Sequence, residues 1–290
     1  MNRTGSLQVT YERADRYPVL TWSIQRVHGS ESQRIDDRVV LEEPLEIIVN
    51  GQSIAVVMRM PGQEKELAAG FCVSEGYVRQ ARDILLLHHC GLGYPAPGDQ
   101  SADPSGSRNR VELRVASEGF SPPDRPDVIR LIRSGCGAAE VSPLSETLPV
   151  VKHDLRVPAP VLLRSGRAMR DLQSVHRQVG GTHAAALFDT SGQVTIVAED
   201  IGRHNAVDKA IGHCLLWGIP LRDKLLLTSG RASYEMASKA IRVGIPIVAS
   251  MSAPTSLAVQ LAQDRGLTLI GYLRGRRMNI YTHTERVETR

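Results

Sequence analysis

The chain has 290 residues, of which 42% are hydrophobic and 23% are charged, a composition typical of one large or two moderate folded domains. No stretch approaches the roughly 18 apolar residues of a membrane span, and the first residues lack the apolar run of a signal peptide. The net charge of +4 and the 4% of aromatic residues argue against a nucleic-acid partner but suit a small anionic ligand. We therefore expect a cytoplasmic protein that binds neither membrane nor nucleic acid.

The N-terminal half is predicted to be a small β-rich domain. Residues 1–35 are polar and lack periodicity, which indicates a flexible arm. Within residues 36–130, Asn50 and Gly51 separate two strand-like runs and predict a β-hairpin. Residues 64–78, with apolar side chains near helical spacing, predict a helix that packs on this hairpin. A long loop rich in Pro, Gly and Ser then precedes a further strand, RVELRV.

The C-terminal half shows a different pattern. Residues 131–150 are small and weakly periodic and are expected to form a mobile loop that carries Cys136. Residues 151–290 alternate helical and strand-like segments in the order α-β-β-α-β-α-β-α-β-β. This order predicts an α/β three-layer sandwich with a mixed sheet.

Cys136 is the candidate nucleophile. Its glycine neighbours leave the sulfur approachable, and the nearby Arg133 would favour the thiolate, which is the reactive form. An incidental loop cysteine remains an open alternative. The four cysteines of the chain lack the paired spacings of a disulfide framework, which indicates a reducing compartment. The other three, Cys72, Cys90 and Cys214, lie in apolar or helical contexts, which indicate packing roles.

No metal site is predicted, although several histidines offer zinc-ligand side chains. Zinc sites usually contain a C-x2-C or H-x3-H pair, and neither spacing occurs in the chain. The histidines considered are His88, His89, His183, His204 and His213.

Three polar, glycine-containing places follow predicted strands, at residues 202–205, 229–231 and 272–277. Strand ends and helix starts in α/β sheets are sites where anions bind, and arginines pair with phosphates. Helix caps and solvated basic turns explain the same residues. Convergence of the three places on one sheet edge would favour a phosphate-rich ligand.

The chain resembles the formate dehydrogenase accessory sulfurtransferase family (FdhD) in five ordered motifs, GGTHAAALFD, EDIGRHNAVDKAIG, LTSGRASYEMASKA, GIPIVASMSAPTSLAVQLAQDRGLTLIGYLRG and RMNIYTH. These motifs cover residues 180–283 almost without gaps, and LEIIVNGQ and ELAAGFCVSEG extend the match to the N-terminal half. The resemblance implies a cytidine-deaminase-like C-terminal domain, a smaller β-rich N-terminal domain and a homodimer. It also implies that a persulfide-carrying cysteine takes sulfur from a cysteine desulfurase and hands it to molybdenum bis(molybdopterin guanine dinucleotide), before that cofactor enters formate dehydrogenase.

The resemblance also assigns individual residues. Cys136 matches the persulfide cysteine of the family's C-G-x-C-G-like loop, whereas Ala139 replaces the second cysteine, so one thiolate remains for the transfer. The family's cofactor-binding segment corresponds to Tyr272, Leu273, Arg274, Gly275, Arg276 and Arg277. Ser229, Gly230 and Arg231 are further candidate cofactor-binding residues, because they lie at a predicted helix start.

Two other functions are weighed against sulfur transfer. A zinc-dependent base deaminase would need H-x-E and C-x-x-C motifs, but Ala185 stands where the glutamate belongs after His183, and no C-x-x-C occurs. A chaperone that binds the molybdenum cofactor without moving sulfur is the second alternative, because Ala139 alters the loop. A persulfide on Cys136 would discriminate between carrier and chaperone.

Overall fold

A computed structural model of the chain describes residues 18–90, 109–121, 130–132 and 148–289. For residues 130–132 it describes the backbone. Cys136, Arg133, most of the predicted loop at 131–150 and most of the Pro-, Gly- and Ser-rich loop lie outside the described residues.

The first elements among the described residues form a two-stranded antiparallel sheet, β1 (Val19–His28) and β2 (Glu31–Val40), joined by a turn with Gly29 at φ 63°. This corrects the predicted arm, because residues 19–28 and 31–35 lie in paired strands. Most side chains of both strands are exposed. A hairpin that buries neither face leaves no apolar alternation in the sequence, so its backbone pairing could not be read from the pattern.

The N-terminal sheet has the strand order β5-β6-β3-β4-β7. Its strands are β3 (Glu43–Val49), β4 (Gln52–Arg59), β5 (Ile84–Cys90), β6 (Arg110–Val115) and β7 (Arg130–Ile132). The predicted hairpin is confirmed: Asn50 and Gly51 join β3 to β4 with φ values of 51° and 82°, as a type I′ turn requires. The predicted helix, α1 (Glu64–Ser74), packs its apolar side chains on this sheet.

The C-terminal sheet has six strands in the order β10-β9-β11-β12-β13-β14. The strands are β9 (His183–Phe188), β10 (Val194–Asp200), β11 (Leu225–Thr228), β12 (Ile247–Ser250), β13 (Thr268–Arg274) and β14 (Arg277–Ile280). The pairs β11–β12 and β12–β13 are parallel and the others are antiparallel, which confirms a mixed sheet. A short parallel pair, β8 (Val157–Pro158) and β15 (Val287–Glu288), lies outside this sheet.

Helices cover both faces of the six-stranded sheet. On one face, α2 (Ala159–Leu172) packs on alternate side chains of β9, β11, β12 and β13 and is followed by α3 (Ser174–Val179). On the other face lie α4 (Arg203–Leu216), α5 (Tyr234–Arg242) and α6 (Ser256–Arg265). The predicted α/β layers are therefore present. Within the described ranges, no helix is long and apolar enough to cross a membrane.

The two sheets are joined through α4. Helix α1 packs against α4, and polar side chains of α4 hold the end of β4: Asn205 Nδ2 donates to Met58 O and Lys209 Nζ donates to Met60 O, both at 2.8 Å. Because Asn205 and Lys209 are buried, these hydrogen bonds fix the C-terminal sheet on the N-terminal part of the chain.

Candidate functional site

Four strands end at one edge of the six-stranded sheet. β11, β12 and β13 are parallel, and β10 runs in the same direction because β9 is antiparallel to both of its neighbours. Their last residues are Asp200, Thr228, Ser250 and Arg274. The three polar places selected from the sequence therefore share the edge at which ligands bind in α/β sheets.

Hydrogen bonds connect the chain segments at this edge. Ser250 Oγ donates to Gly230 O at 2.6 Å, and Arg274 Nε donates to Met251 O at 2.6 Å. The segment after β11 and the end of β13 are thus both fixed to the end of β12, so that residues 229–231 and 272–277 belong to one connected surface.

The backbone amides of Ser229 and Gly230 already have acceptors within the protein. Ser229 N donates to Ala184 O at 2.9 Å, and Gly230 N donates to Thr228 Oγ1 at 3.3 Å. Helix α5 begins at Tyr234, so these residues do not open it. Ser229 and Gly230 therefore do not form the predicted helix start, and their amides are engaged within the protein.

Gly230 has a different role, which is to admit the side chains of Arg203 and His183. A Cβ atom there would lie 3.0 Å from Cβ and Cδ of Arg203 and 3.5 Å from Nδ1 of His183. The absence of a side chain lets Arg203 and His183 meet over the end of β11. The third selected residue, Arg231, is exposed beside them.

Positive charge is concentrated around His183. Burial lowers the pKa of this imidazole, and nearby basic side chains lower it further, in the order Arg203, His176, His204 and Arg231. A group of cations that disfavours a further proton also attracts an anion. Sequence reasoning selected Arg203, His204 and Arg231 but did not place His183 and His176 beside them, because these two histidines lie on separate segments.

His204 and the carboxylates before it hold elements of the fold together. His204 Nε2 lies 2.7 Å from Glu235 Oε2, which joins α4 to α5, and this contact lowers the pKa of Glu235. Glu199 accepts hydrogen bonds from the amides of Val175 and His176 at 2.9 and 2.8 Å and so caps α3.

Asp200 is fully buried and its carboxylate oxygens have protein partners. It accepts from Lys209 Nζ at 2.8 Å, from Gly202 N at 3.0 Å and from Asn205 Nδ2 at 2.9 Å. We conclude that Asp200 organises the start of α4 and does not contact a ligand.

β13 ends in a turn that exposes arginines. Gly275 has φ 58°, and the side chains of the three predicted residues around it, Arg274, Arg276 and Arg277, are exposed. Leu273 differs, because it is 3% exposed and packs in the core beneath the turn. The side chain of Leu273 therefore supports this segment and does not reach a ligand.

A groove of about 460 Å³ lies between this turn and α2. Its walls are formed by Gly275 and Arg276 from the turn and by four residues of α2, Pro160, Leu163, Arg164 and Arg167. Arg164 and Arg167 were not selected from the sequence. Their spacing places them on one face of a helix, but nothing local indicates that this face meets the β13–β14 turn.

The cysteines that the structure describes are poor nucleophiles or lie away from this edge. Burial raises the pKa of the Cys72 thiol, and burial raises that of Cys214 to about 11. These two side chains lie in the core, as predicted. Cys90 is half-buried at the end of β5 in the other sheet.

Among the described residues, no group of three or more His, Cys, Asp and Glu side chains is placed to hold a metal ion. The histidines at the sheet edge have other partners: His183 Nδ1 lies 3.2 Å from Ser229 Oγ, and His204 pairs with Glu235. The chemistry available at this edge is anion binding by arginine and histidine side chains.

Comparison with known proteins gives matches over most of the chain. The FdhD/NarQ family model matches residues 40–288. The chain is 38% identical over 277 residues to the sulfur carrier protein FdhD of Saccharolobus solfataricus, covering 93% of this chain and 98% of that protein. It is 42% identical over 275 residues to the protein of the same name from Streptomyces coelicolor, covering 90% and 93%. A crystal structure of a putative formate dehydrogenase accessory protein from Desulfotalea psychrophila superposes with a TM-score of 0.74 at 26% identity, covering 93% of this chain and 100% of that one.

Proposed function

We propose that this chain, which belongs to the FdhD/NarQ family, is a sulfur carrier that serves the maturation of formate dehydrogenase. The observation that carries the proposal is the similarity, over about nine-tenths of the chain, to relatives named as sulfur carrier proteins. The formate dehydrogenase side of the proposal is supported by the accessory protein from Desulfotalea psychrophila. We further expect a cytoplasmic protein that forms a homodimer and has a cytidine-deaminase-like C-terminal domain. Sedimentation velocity measures the oligomeric state, and a sedimentation coefficient of a monomer would contradict the dimer.

In the proposed mechanism Cys136 is the carrier. Its thiolate attacks the terminal sulfur of a persulfide on a cysteine desulfurase, a new S–S bond forms at Cys136, and the desulfurase cysteine leaves as a thiolate. The raised pKa of Cys72 and Cys214 supports this choice, because a buried thiol is protonated at neutral pH and does not attack.

The proposed acceptor of the sulfur is the molybdenum atom of molybdenum bis(molybdopterin guanine dinucleotide), which is bound as a substrate. Its guanine nucleotide ends carry phosphates, and the arginines of residues 274–277 and the cations around His183 lie at one edge of the sheet. Charge-assisted hydrogen bonds between guanidinium and phosphate groups would hold the cofactor there. In this transfer the S–S bond breaks and Cys136 leaves as the thiolate, while the terminal sulfur is reduced to sulfide by two electrons that we assign to a reduced molybdenum centre, which is oxidised from Mo(IV) to Mo(VI).

The experiment is peptide mass spectrometry of the full chain after incubation with a cysteine desulfurase and cysteine. We expect one added sulfur on the Cys136 peptide, removable by a thiol reductant. Cys90→Ala is the matched control, because Cys90 is the one described cysteine that is not buried, and this variant should still gain the sulfur.

The chaperone alternative gives a different result in the same experiment. If Ala139 removes a cysteine that the transfer needs, Cys136 stays unmodified beside a persulfidated desulfurase, while the protein still binds the molybdenum cofactor. This result would overturn the carrier function and favour the chaperone.

A further inference from the structure

The groove between α2 and the β13–β14 turn is lined by three arginines, Arg164, Arg167 and Arg276. Within the part of the chain that the structure describes, none of the three forms an ion pair with a carboxylate. Like charges brought together at the surface repel one another. An anion between them would turn this repulsion into attraction, which is the first indication that the groove is a binding site.

The fold holds these arginines together through a close packing contact. Gly166 lies between Arg164 and Arg167 on α2, and a Cβ atom at this glycine would lie 3.0 Å from Cδ2 of Leu273. Leu273 is buried directly before the turn that carries Arg276. Gly166 and Leu273 thus set α2 against the end of β13, at the height where Arg164 and Arg167 line the groove beside the turn.

The groove has an apolar wall beside its charged one. Pro160 and Leu163 line it together with the arginines, and its volume of about 460 Å³ lies within the roughly 300–1,000 Å³ of small-molecule sites. An inorganic anion would contact only the charged wall. A nucleotide would contact both walls, because its phosphates pair with guanidinium groups and its ring system packs on aliphatic side chains.

We propose that Arg164 and Arg167 of α2 bind, together with Arg276, the diphosphate of a guanine nucleotide end of the substrate. This inference rests on the proposed function, which supplies the ligand, and it extends the binding surface to a helix that the sequence analysis did not select. Each planar guanidinium donates two hydrogen bonds to phosphate oxygens.

The test measures GDP binding to the full-length protein by isothermal titration calorimetry. Arg164→Gln and Arg167→Gln should each raise the dissociation constant for GDP about tenfold or more, which is the factor expected for the loss of one charge-assisted contact. Arg170→Gln is the matched control, because Arg170 is an exposed arginine of the same helix that does not line the groove. This variant should bind GDP within about twofold of the parent protein.

The outcomes separate this inference from the proposed function. If the parent protein binds GDP and Arg164→Gln and Arg167→Gln match Arg170→Gln, the α2 assignment is wrong and the sulfur carrier proposal stands. If the parent protein does not bind GDP, this inference fails together with the proposed nucleotide-binding surface, while the persulfide on Cys136 remains a separate readout of the carrier function. Guanosine lacks phosphates, so stronger effects of Arg164→Gln on guanosine than on GDP would also overturn the assignment.

Discussion

Gly70 of α1 and Gly212 of α4 lie against each other where the two helices cross. A Cβ atom on Gly70 would overlap the carbonyl oxygen of Asp208 and lie 2.9 Å from the backbone nitrogen of Gly212, and a Cβ atom on Gly212 would overlap the carbonyl oxygen of Glu66. Backbone therefore meets backbone at this crossing. Because α1 packs on the N-terminal sheet and α4 on the C-terminal sheet, the two glycines set the distance between the sheets.

Gly212→Ala should lower the free energy of unfolding by about 3 kcal/mol or more, because the added methyl group forces the helices apart. Without that clash, alanine would stabilise a helix by about 1 kcal/mol relative to glycine, so the sign of the change tests the contact. Urea unfolding followed by circular dichroism measures it. Lys65→Ala, on the exposed side of α1, is the control and should change stability by less than about 0.5 kcal/mol. A Gly212→Ala protein as stable as this control would contradict the packing.

Lys239 is a buried cation that joins α5 to α4 and α1. Its Nζ donates to both carboxylate oxygens of Asp208 at 2.9 and 3.0 Å and to Ser74 Oγ at 2.9 Å, and lies 2.6 Å from Glu75 Oε1. Burial lowers the pKa of Lys239, but the Asp208 and Glu75 carboxylates outweigh this effect and raise it above its ordinary value. The ammonium group is therefore charged in the folded protein.

Lys239→Met should lower the free energy of unfolding by about 3–5 kcal/mol, because it leaves the buried Asp208 without its counter-charge. The double variant Lys239→Met/Asp208→Asn should lose less than the sum of its single changes, since the buried side chain at position 208 then carries no charge that needs the ammonium group. Denaturant unfolding of the three variants gives the coupling free energy. Strictly additive losses would show that the two side chains do not form the pair described.

His183 should titrate below its ordinary pKa of 6.5, since burial and then the charge of Arg203 disfavour its protonation. In the unfolded chain the imidazole takes up a proton near its ordinary pKa, while in the fold it stays neutral to lower pH. The free energy of unfolding should therefore fall as pH drops below about 6.5. Imidazole signals followed by NMR during a pH titration give the pKa directly.

Arg203→Gln should raise the pKa of His183 toward its ordinary value. Arg177→Gln, an exposed arginine outside the group that lowers this pKa, is the control and should leave the titration unchanged. Equal His183 titration curves in the two variants would remove Arg203 from the cationic cluster at the sheet edge.

Cys136→Ala should abolish the support of formate dehydrogenase activity in cells that lack the natural protein, because no thiolate remains to carry the sulfur. GDP binding should be unchanged, since this variant leaves the proposed nucleotide groove intact. Cys90→Ala is the control and should retain both properties. Full formate dehydrogenase activity with Cys136→Ala would contradict the carrier role.

Much of the secondary structure is predictable from local chemistry. Asn50 and Gly51 specify the β3–β4 hairpin because both adopt positive φ, and Gly266 ends α6 with φ 76° for the same reason. The β1–β2 hairpin was missed, because exposed strands that bury neither face show no alternation. The helix start predicted at residues 229–231 lies too early in the chain, because Ala232 forms an isolated bridge with Pro254 before α5 begins at Tyr234.

The sequence by itself determined the order of helices and strands, the segment 272–277 as an arginine-rich turn and Cys136 as the candidate carrier, since each depends on neighbours along the chain. Tertiary structure decided which of these residues meet. It buried Leu273 and Asp200, engaged the amides of Ser229 and Gly230, and brought Arg164 and Arg167 to the turn. The physical reason is that burial and pairing between distant segments follow from how helices pack on a sheet, which side-chain periodicity alone does not encode.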